Sequence, residues 1–306
     1  MPVRCSKRNC NNHAIIYQKY AGLHLCEPHF VDDVERKVKK EMRKQLMVEQ
    51  GDKIAVALSG GKDSSALLYI LKAVFCNRND LQIFAIAVDE GIKGFRALTL
   101  NNAVKIAEEL ELDLFTFSFA REFGYTLDEI ASKGFEQVPC TFCGVLRRRL
   151  LEEKARELGA TKVATAHNLD DEAQTILINY IRGDIARLKR LRGRREEFIP
   201  RIKPLRNILE KEVALYALVQ GIPISTIHCP YAERSFRFTV KKMLNEFEQR
   251  HPGTKYALMR GYERLLRIIP HEQSSKELLH CLRCGEASAS ELCKTCEIIA
   301  RLNEES

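Results

Sequence analysis

The hydrophobic positions change period along this chain, and the changes divide it. Between residues 31 and 50, Val31, Val34, Val38, Met42 and Leu46 recur three and four apart, interleaved with Arg36, Lys37, Lys39, Lys40, Arg43 and Lys44. That spacing predicts an amphipathic helix with an apolar stripe and a basic face. From residue 53, short apolar runs alternate with amphipathic stretches. The runs Ile54 to Leu58, Ile83 to Val88, Leu112 to Phe119, Lys162 to Ala166 and Phe198 to Ile202 read as strands. Residues 64–75, 95–110, 143–158 and about 171–182 read as the helices between them. Strands that are apolar throughout are buried on both faces, as in a parallel sheet covered by crossover helices. The expected fold is therefore α/β, a doubly wound parallel sheet, with further helices to about residue 268.

The two ends break this rhythm. Residues 1–30 are too short and too rich in cysteine and histidine to bury an apolar core, so a metal is expected to hold them. Pro270 to Ser275 read as a linker to a last cysteine cluster. The expected organisation is a metal knob at 1–30, a basic helix at 31–50, the main α/β domain at 51–268 and a second metal knob at 276–306.

Composition sharpens this. With 306 residues, 45% of them hydrophobic, the chain supports one sizeable core. No run of about 18 apolar residues occurs and Met1 to Cys10 are polar, so neither a membrane span nor a signal peptide is expected, and a cytosolic location is. Forty-nine Lys and Arg against 41 Asp and Glu leave a charge of +8, which suits a polyanionic partner. Eleven cysteines in a reducing compartment point to metal or redox chemistry rather than disulfides. Ten fall into three clusters; Cys76, after an apolar helix, reads as a small buried hydrophobe.

Candidate chemistry begins where the first buried strand ends. Ser59-Gly60-Gly61-Lys62-Asp63-Ser64 lets the chain turn sharply into a helix and aim backbone N–H groups at an anion. Lys62 adds a mobile positive charge, Ser59 and Ser64 add hydroxyls, and Asp63 is placed to hold the loop or a Mg²⁺. The spacing is not that of the Walker loop. Asp89 closes the second strand, where such folds place ligands; capping a turn is an equal reading. A second loop, Ala166-His167-Asn168-Leu169-Asp170-Asp171-Glu172-Ala173, follows a later strand and opens a helix. Its acids favour the helix dipole, and Asp170 is the preferred candidate for a Mg²⁺ ligand or acid/base.

Cys140-Thr-Phe-Cys143 follows Pro139 at an expected helix start, with Arg147, Arg148 and Arg149 one turn on. The i, i+3 spacing points both thiols one way, and the helix terminus and arginines are expected to lower their pKa. Cys229, before Pro230, is a third member. The residues alone leave three readings open: a redox pair, a structural zinc, or an iron–sulfur cluster held by three thiolates. At the C-terminus, Cys281-x₂-Cys284 and Cys293-x₂-Cys296 give two paired-thiolate turns, a strong tetrahedral zinc signal. The N-terminal set is Cys5, Cys10, Cys26 and His29, with His13 or His24 as substitutes.

The loop at 59–64 resembles that of the N-type ATP pyrophosphatases, which implies AMP and pyrophosphate as products. Together with the 166–173 loop, the central cysteines and both terminal knobs, it is similar to the tRNA thiolation enzymes of the TtuA and NcsA type, related in turn to the TtcA branch. The resemblance covers essentially the whole chain. It implies a PP-loop domain of the adenine nucleotide α-hydrolase kind and a [4Fe–4S] cluster on Cys140, Cys143 and Cys229. It also implies two structural Zn²⁺, and ATP with Mg²⁺ at Ser59 to Ser64, Asp89, His167 and Asp170. Catalytic roles are expected for the three cysteines, Lys62, Asp63 and Asp170. ATP would adenylate the C2 carbonyl of a uridine, and sulfur would displace AMP. A ubiquitin-like thiocarboxylate protein or inorganic sulfide is the expected donor, and a homodimer is compatible with the family.

Arg187 to Arg195 hold six cations in nine positions, and backbone phosphate contact is expected there, extended by Lys203 and Arg206. Phe236-Arg237 after the third cysteine is closer to the wobble-uridine branch, although Phe238 stands where that branch has glycine. Wobble 2-thiouridine at position 34 is therefore expected ahead of the T-loop uridine at position 54 or a cytidine. Two other classes compete. An amide-forming ATP pyrophosphatase would share the 59–64 loop but has no use for the central cysteines. A non-catalytic zinc and RNA-binding module would not need Lys62, Asp63 or Asp170.

Overall fold

The computed structural model describes residues 3–190, 197–224, 227–268 and 278–304. A hairpin of β1 (Ile16–Gln18) and β2 (Leu23–Leu25) opens the chain and leads into α1 (Glu27–Lys44). The central sheet contains β3 (Lys53–Ala57), β4 (Gln82–Asp89), β5 (Leu114–Ser118), β6 (Lys162–Ala164) and β7 (Arg201–Ile202). All pair in parallel, in the order β5-β4-β3-β6-β7. The order reverses between β3 and β6, so their C-terminal ends flank the crevice where a doubly wound sheet takes its ligand. Both expected loops, 59–64 and 166–173, leave these two strands.

The connecting helices are α2 (Lys62–Val74), α3 (Arg96–Glu109), α4 (Phe119–Phe123), α5 (Leu127–Ser132), α6 (Pro139–Glu157), α7 (Leu169–Ile181), α8 (Ile185–Arg190) and α9 (Glu210–Val219). Beyond them lie α10 (Phe236–Arg250), α11 (Thr254–Ile268), a hairpin of β8 (Leu279–His280) and β9 (Ala287–Ser288), and α12 (Lys294–Glu304). Alternation along β3 sets the two faces of the sheet. Ile54 and Val56 join one core with Phe30, Val34 and Val38 of α1, Leu67 and Leu71 of α2, and Val213 and Tyr216 of α9. Ala55 joins the other, with Leu146 and Leu150 of α6 and Ile298 and Leu302 of α12. The helix that carries the last residue of each terminal set, His29 on α1 and Cys296 on α12, thus packs on one face of the sheet.

Two helix starts lie earlier than the periodicity suggests. Pro139 occupies the first turn of α6, where its missing N–H costs nothing. Asn168 caps α7 through a reciprocal box with Asp171, so the acids of the 166–173 loop fall inside the helix. Cys76 is exposed, not buried as the sequence suggested, because α2 ends at Val74 and Cys76 lies beyond its cap, off the helix's buried face. Pro270 to Ser275, and 191–195 of the basic run, lie outside the described residues. No described helix is long and apolar enough to cross a membrane.

Candidate active site and metal centres

The phosphate loop is preformed. Gly60 has φ +76°, and a Cβ there would lie 1.8 Å from the Thr99 carbonyl oxygen. The loop folds over its own hydroxyls: Ser64 Oγ accepts from the Ser59 N–H (3.1 Å) and lies 2.9 Å from Ser59 Oγ. Helix α3 clamps it from outside. Asn102 donates to the Gly60 carbonyl (2.7 Å), and Arg96 donates to the Ser59 carbonyl (2.6 Å) and the Val88 carbonyl (2.6 Å). Arg96 is buried and pairs with buried Glu90 (2.9 Å), which also reaches Arg147 at 3.5 Å. Nothing in the spacing singled out Arg96, Glu90 or Asn102; the only signal was the acidic pair Asp89-Glu90 at a strand end.

Lys62 lies between Asp63 (2.8 Å) and Glu210 (2.9 Å), and Lys241 holds Glu210 from the far side. Burial disfavours the Lys62 charge, but the two carboxylates outweigh it and raise its pKa. Burial raises the pKa of Asp63 despite Lys62. Asn168 donates to Asp63 (3.2 Å) and so ties the second loop to the first. Burial raises Asp171 to about 6, with the charges of Asp63 and Glu210 adding to it. His167 is bonded to the Thr165 hydroxyl (2.9 Å); desolvation, with Lys203 beside it, lowers its pKa to about 4 and keeps the ring neutral.

One expectation changes here, and one open reading gains an observation. Asp170, expected to be an open acid/base or Mg²⁺ ligand, is buried with both carboxylate oxygens engaged, one by Lys255 and one by the Glu210 N–H (2.8 Å). It anchors α9 and α11 behind the loop, where Glu210 meets Lys62. Asp89 accepts from the Gly91 N–H (2.9 Å), in keeping with the turn-capping reading.

The central cysteines meet beside this loop. Cys140 and Cys143 occupy the first turns of α6, and Cys140 donates to the Tyr231 carbonyl (3.4 Å), which brings the 229–231 segment against that helix. A cavity of about 200 Å³ is lined by Ser59, Gly61, Arg96, Cys143, Arg147 and Cys229, so phosphate loop and thiols share one space. The expected lowering of the thiol pKa does not occur. Burial raises all three, Cys143 to about 12, and outweighs Arg147. Metal binding would release these protons, as thiolate ligation requires.

Both terminal sets assemble. Cys5, Cys10, Cys26 and His29 bring their ligand atoms within 4.8 Å of one another, as do Cys281, Cys284, Cys293 and Cys296. Sulfurs of Cys10 and Cys26, and of Cys284 and Cys293, lie 3.7 Å apart. That matches the edge of a tetrahedron with zinc–sulfur bonds of about 2.3 Å. His29, on α1, is the fourth N-terminal partner; His24 instead stacks on Tyr17. The Cys293 N–H donates to Cys281 Sγ (3.2 Å), and such bonds lower the Cys281 pKa to about 6. Among the described residues only these two sets converge so tightly. Cys140, Cys143 and Cys229 are not among these tightly converging sets.

The supplementary cations differ from expectation. Lys203 is paired with Glu172 (2.6 Å), and Arg206 with Glu41 (3.4 Å) and Glu263 (3.5 Å), so neither extends an open basic patch.

Comparison with known proteins agrees with this geometry. Residues 31–225 match the PP-loop domain family, and residues 4–31 match the N-terminal LIM domain of 2-thiouridine synthetase TtuA. The chain is 37% identical to the tRNA 2-thiolation protein NcsA of Haloferax volcanii, over 97% of this chain and 98% of that protein. It is 36% identical to the cytoplasmic tRNA 2-thiolation protein 1 of Caenorhabditis elegans, over 97% of this chain and 80% of that protein. A solved structure of the U34-tRNA thiolase NcsA from Methanococcus maripaludis with its [4Fe-4S] cluster superimposes with TM-score 0.83 at 37% identity, covering 96% of this chain and 95% of that one. With a PP-loop facing a cysteine trio, a LIM-type knob in front and relatives matched nearly end to end, the chain belongs to the TtuA/NcsA family of tRNA 2-thiolation proteins.

Proposed function

We propose that this protein is an ATP-dependent tRNA sulfurtransferase that converts the C2 carbonyl of the wobble uridine, position 34, into a thiocarbonyl. One observation carries the reading: a single cavity is bounded by the phosphate loop and by Cys143 and Cys229. Activation and sulfur delivery must act on the same carbon, so both sets of groups have to face one space.

In the first step the uridine C2 oxygen attacks the α-phosphorus of ATP and expels pyrophosphate. The loop N–H groups and Lys62 neutralise the charge that develops on the phosphates, a role worth about 10²–10³ in rate per donor. Asp63 is the loop carboxylate, its oxygens held by Lys62 (2.8 Å) and Asn168 (3.2 Å), and a Mg²⁺ bound there would displace Lys62 from it. In the second step sulfide adds at C2 and AMP departs with the original oxygen. Cys140, Cys143 and Cys229 would hold a [4Fe–4S] cluster as a three-thiol donor set with Arg147 beside it, and the cluster would supply an iron open to sulfide. The terminal sets fit structural zinc. The H. volcanii, C. elegans and M. maripaludis relatives, named for tRNA thiolation, support the substrate; the M. maripaludis enzyme, named for U34, and the Phe236-Arg237 element support the position. A thiocarboxylated ubiquitin-like protein or inorganic sulfide supplies the sulfur in this reading, in the cytoplasm.

Metal and acid-labile sulfide analysis after anaerobic purification tests the cluster. About four irons and two zincs per chain are expected, with iron lost and zinc kept in Cys140→Ala. About three zincs without labile sulfide, even after reconstitution, would reject it. Nucleoside analysis of tRNA from cells lacking the protein tests the base: loss confined to position 54 would overturn the wobble assignment.

A further inference from the structure

Beyond Cys229 the chain presents an aromatic ring that no core claims. A single 3₁₀ turn, Ala232–Arg234, leads to α10, which Ser235 caps by accepting the Phe238 N–H (3.3 Å). Arg237 fastens this start to α7, donating to the Asp171 carbonyl (3.3 Å), Gln174 Oε1 (3.3 Å) and Thr175 Oγ1 (3.0 Å). The core residues of α10 are Val240 and Leu244, facing Ala173 and Ile178. Phe236 stays outside, 41% exposed, with the Arg182 guanidinium 5.1 Å above its ring. Lys242 lies 4.5 Å over the neighbouring Phe238. The Phe236 ring is therefore fixed at its backbone, partly solvated, and backed by the Arg182 guanidinium.

Its position matters. Tyr231, whose carbonyl meets the Cys140 thiol, precedes Phe236 by five residues, a Cα separation of no more than about 18 Å. Arg237 holds the loop-bearing helix that begins beside Asp63. A flat apolar face backed by a guanidinium matches an unpaired nucleotide, a base attached to phosphate. An apolar protein partner would have no use for the Arg182 guanidinium behind the ring.

We infer that Phe236, backed by Arg182, is a stacking platform for an unpaired base of the RNA substrate, beside the nucleotide delivered to the cleft. This rests on the tRNA reading above. It makes Phe236 a binding residue, acting on RNA affinity and not on ATP use.

The test uses the full-length protein purified anaerobically, with binding measured to a tRNA transcript and to an anticodon-loop hairpin carrying 2-aminopurine. Phe236→Leu keeps the apolar bulk but removes the π face; it is expected to weaken tRNA binding about tenfold and to abolish quenching of the probe. Phe236→Tyr is expected to retain both, and Arg182→Gln to lose about threefold in affinity. ATP affinity and iron content should be unchanged in all three, which excludes misfolding. Wild-type protein that binds tRNA while the Leu and Tyr variants bind equally well overturns the platform alone. Wild-type protein that binds no RNA overturns both the platform and the substrate reading.

Discussion

At the scale of single residues, the phosphate loop depends most on Gly60. Its left-handed backbone and the Thr99 carbonyl leave no room for a side chain, whereas a Cβ on Gly61 would meet only Ser59 Oγ at 3.5 Å. Gly60→Ala should therefore lower stability by about 2–4 kcal/mol and weaken ATP binding at least tenfold. Gly61→Ala should leave the fold intact. Denaturant midpoints and an ATP titration of both variants check the pair; equal behaviour would show that the clash is relieved by movement of α3. The sequence made the glycines, Lys62 and Asp63 legible because their types and order announce an anion site. It did not distinguish Asp170 from its neighbours, because adjacent helical residues point in different directions and only α9 and α11 reveal which one is engaged. The central thiols misled in a similar way: a helix terminus and three arginines are visible in the sequence, but the desolvation that outweighs them is not.

At the scale of elements, α6 joins the two chemistries of the molecule. Its first turns carry Cys140 and Cys143, and farther along, Arg149 and Arg156 hold Glu286 of the C-terminal knob, Arg156 at 3.0 Å. Arg149 and Glu286 are largely shielded, so the pair is expected to matter more than a surface bridge. Glu286→Gln should raise amide exchange about tenfold in β8, β9 and α12 while leaving β3 and α2 protected. Hydrogen-exchange mass spectrometry measures this, and uniform protection would show that zinc and the apolar contacts of α12 suffice. Helices and long strands were legible because their periodicity is local. The two-residue β7 was seen only as a longer apolar run, since its pairing with β6 is set across the sheet.

At the scale of the whole molecule, net charge sets how RNA is met. A chain of +8 that contacts about five to eight phosphates should show log affinity for tRNA falling with log salt at a slope of about −3 to −6. A slope near zero between about 100 and 400 mM KCl would place RNA recognition away from the basic surface. The sequence by itself determined the sheet class, the anion loop and both terminal metal sets, because each is written in periodicity or in residue spacing along a short stretch. The family resemblance had already grouped Cys229 with Cys140 and Cys143; tertiary structure decided that Cys143 and Cys229 meet the phosphate loop in one cavity, and that Arg96 and Glu90 support it. Contacts between distant residues are fixed by how the elements pack, and packing leaves no local signature in the chain.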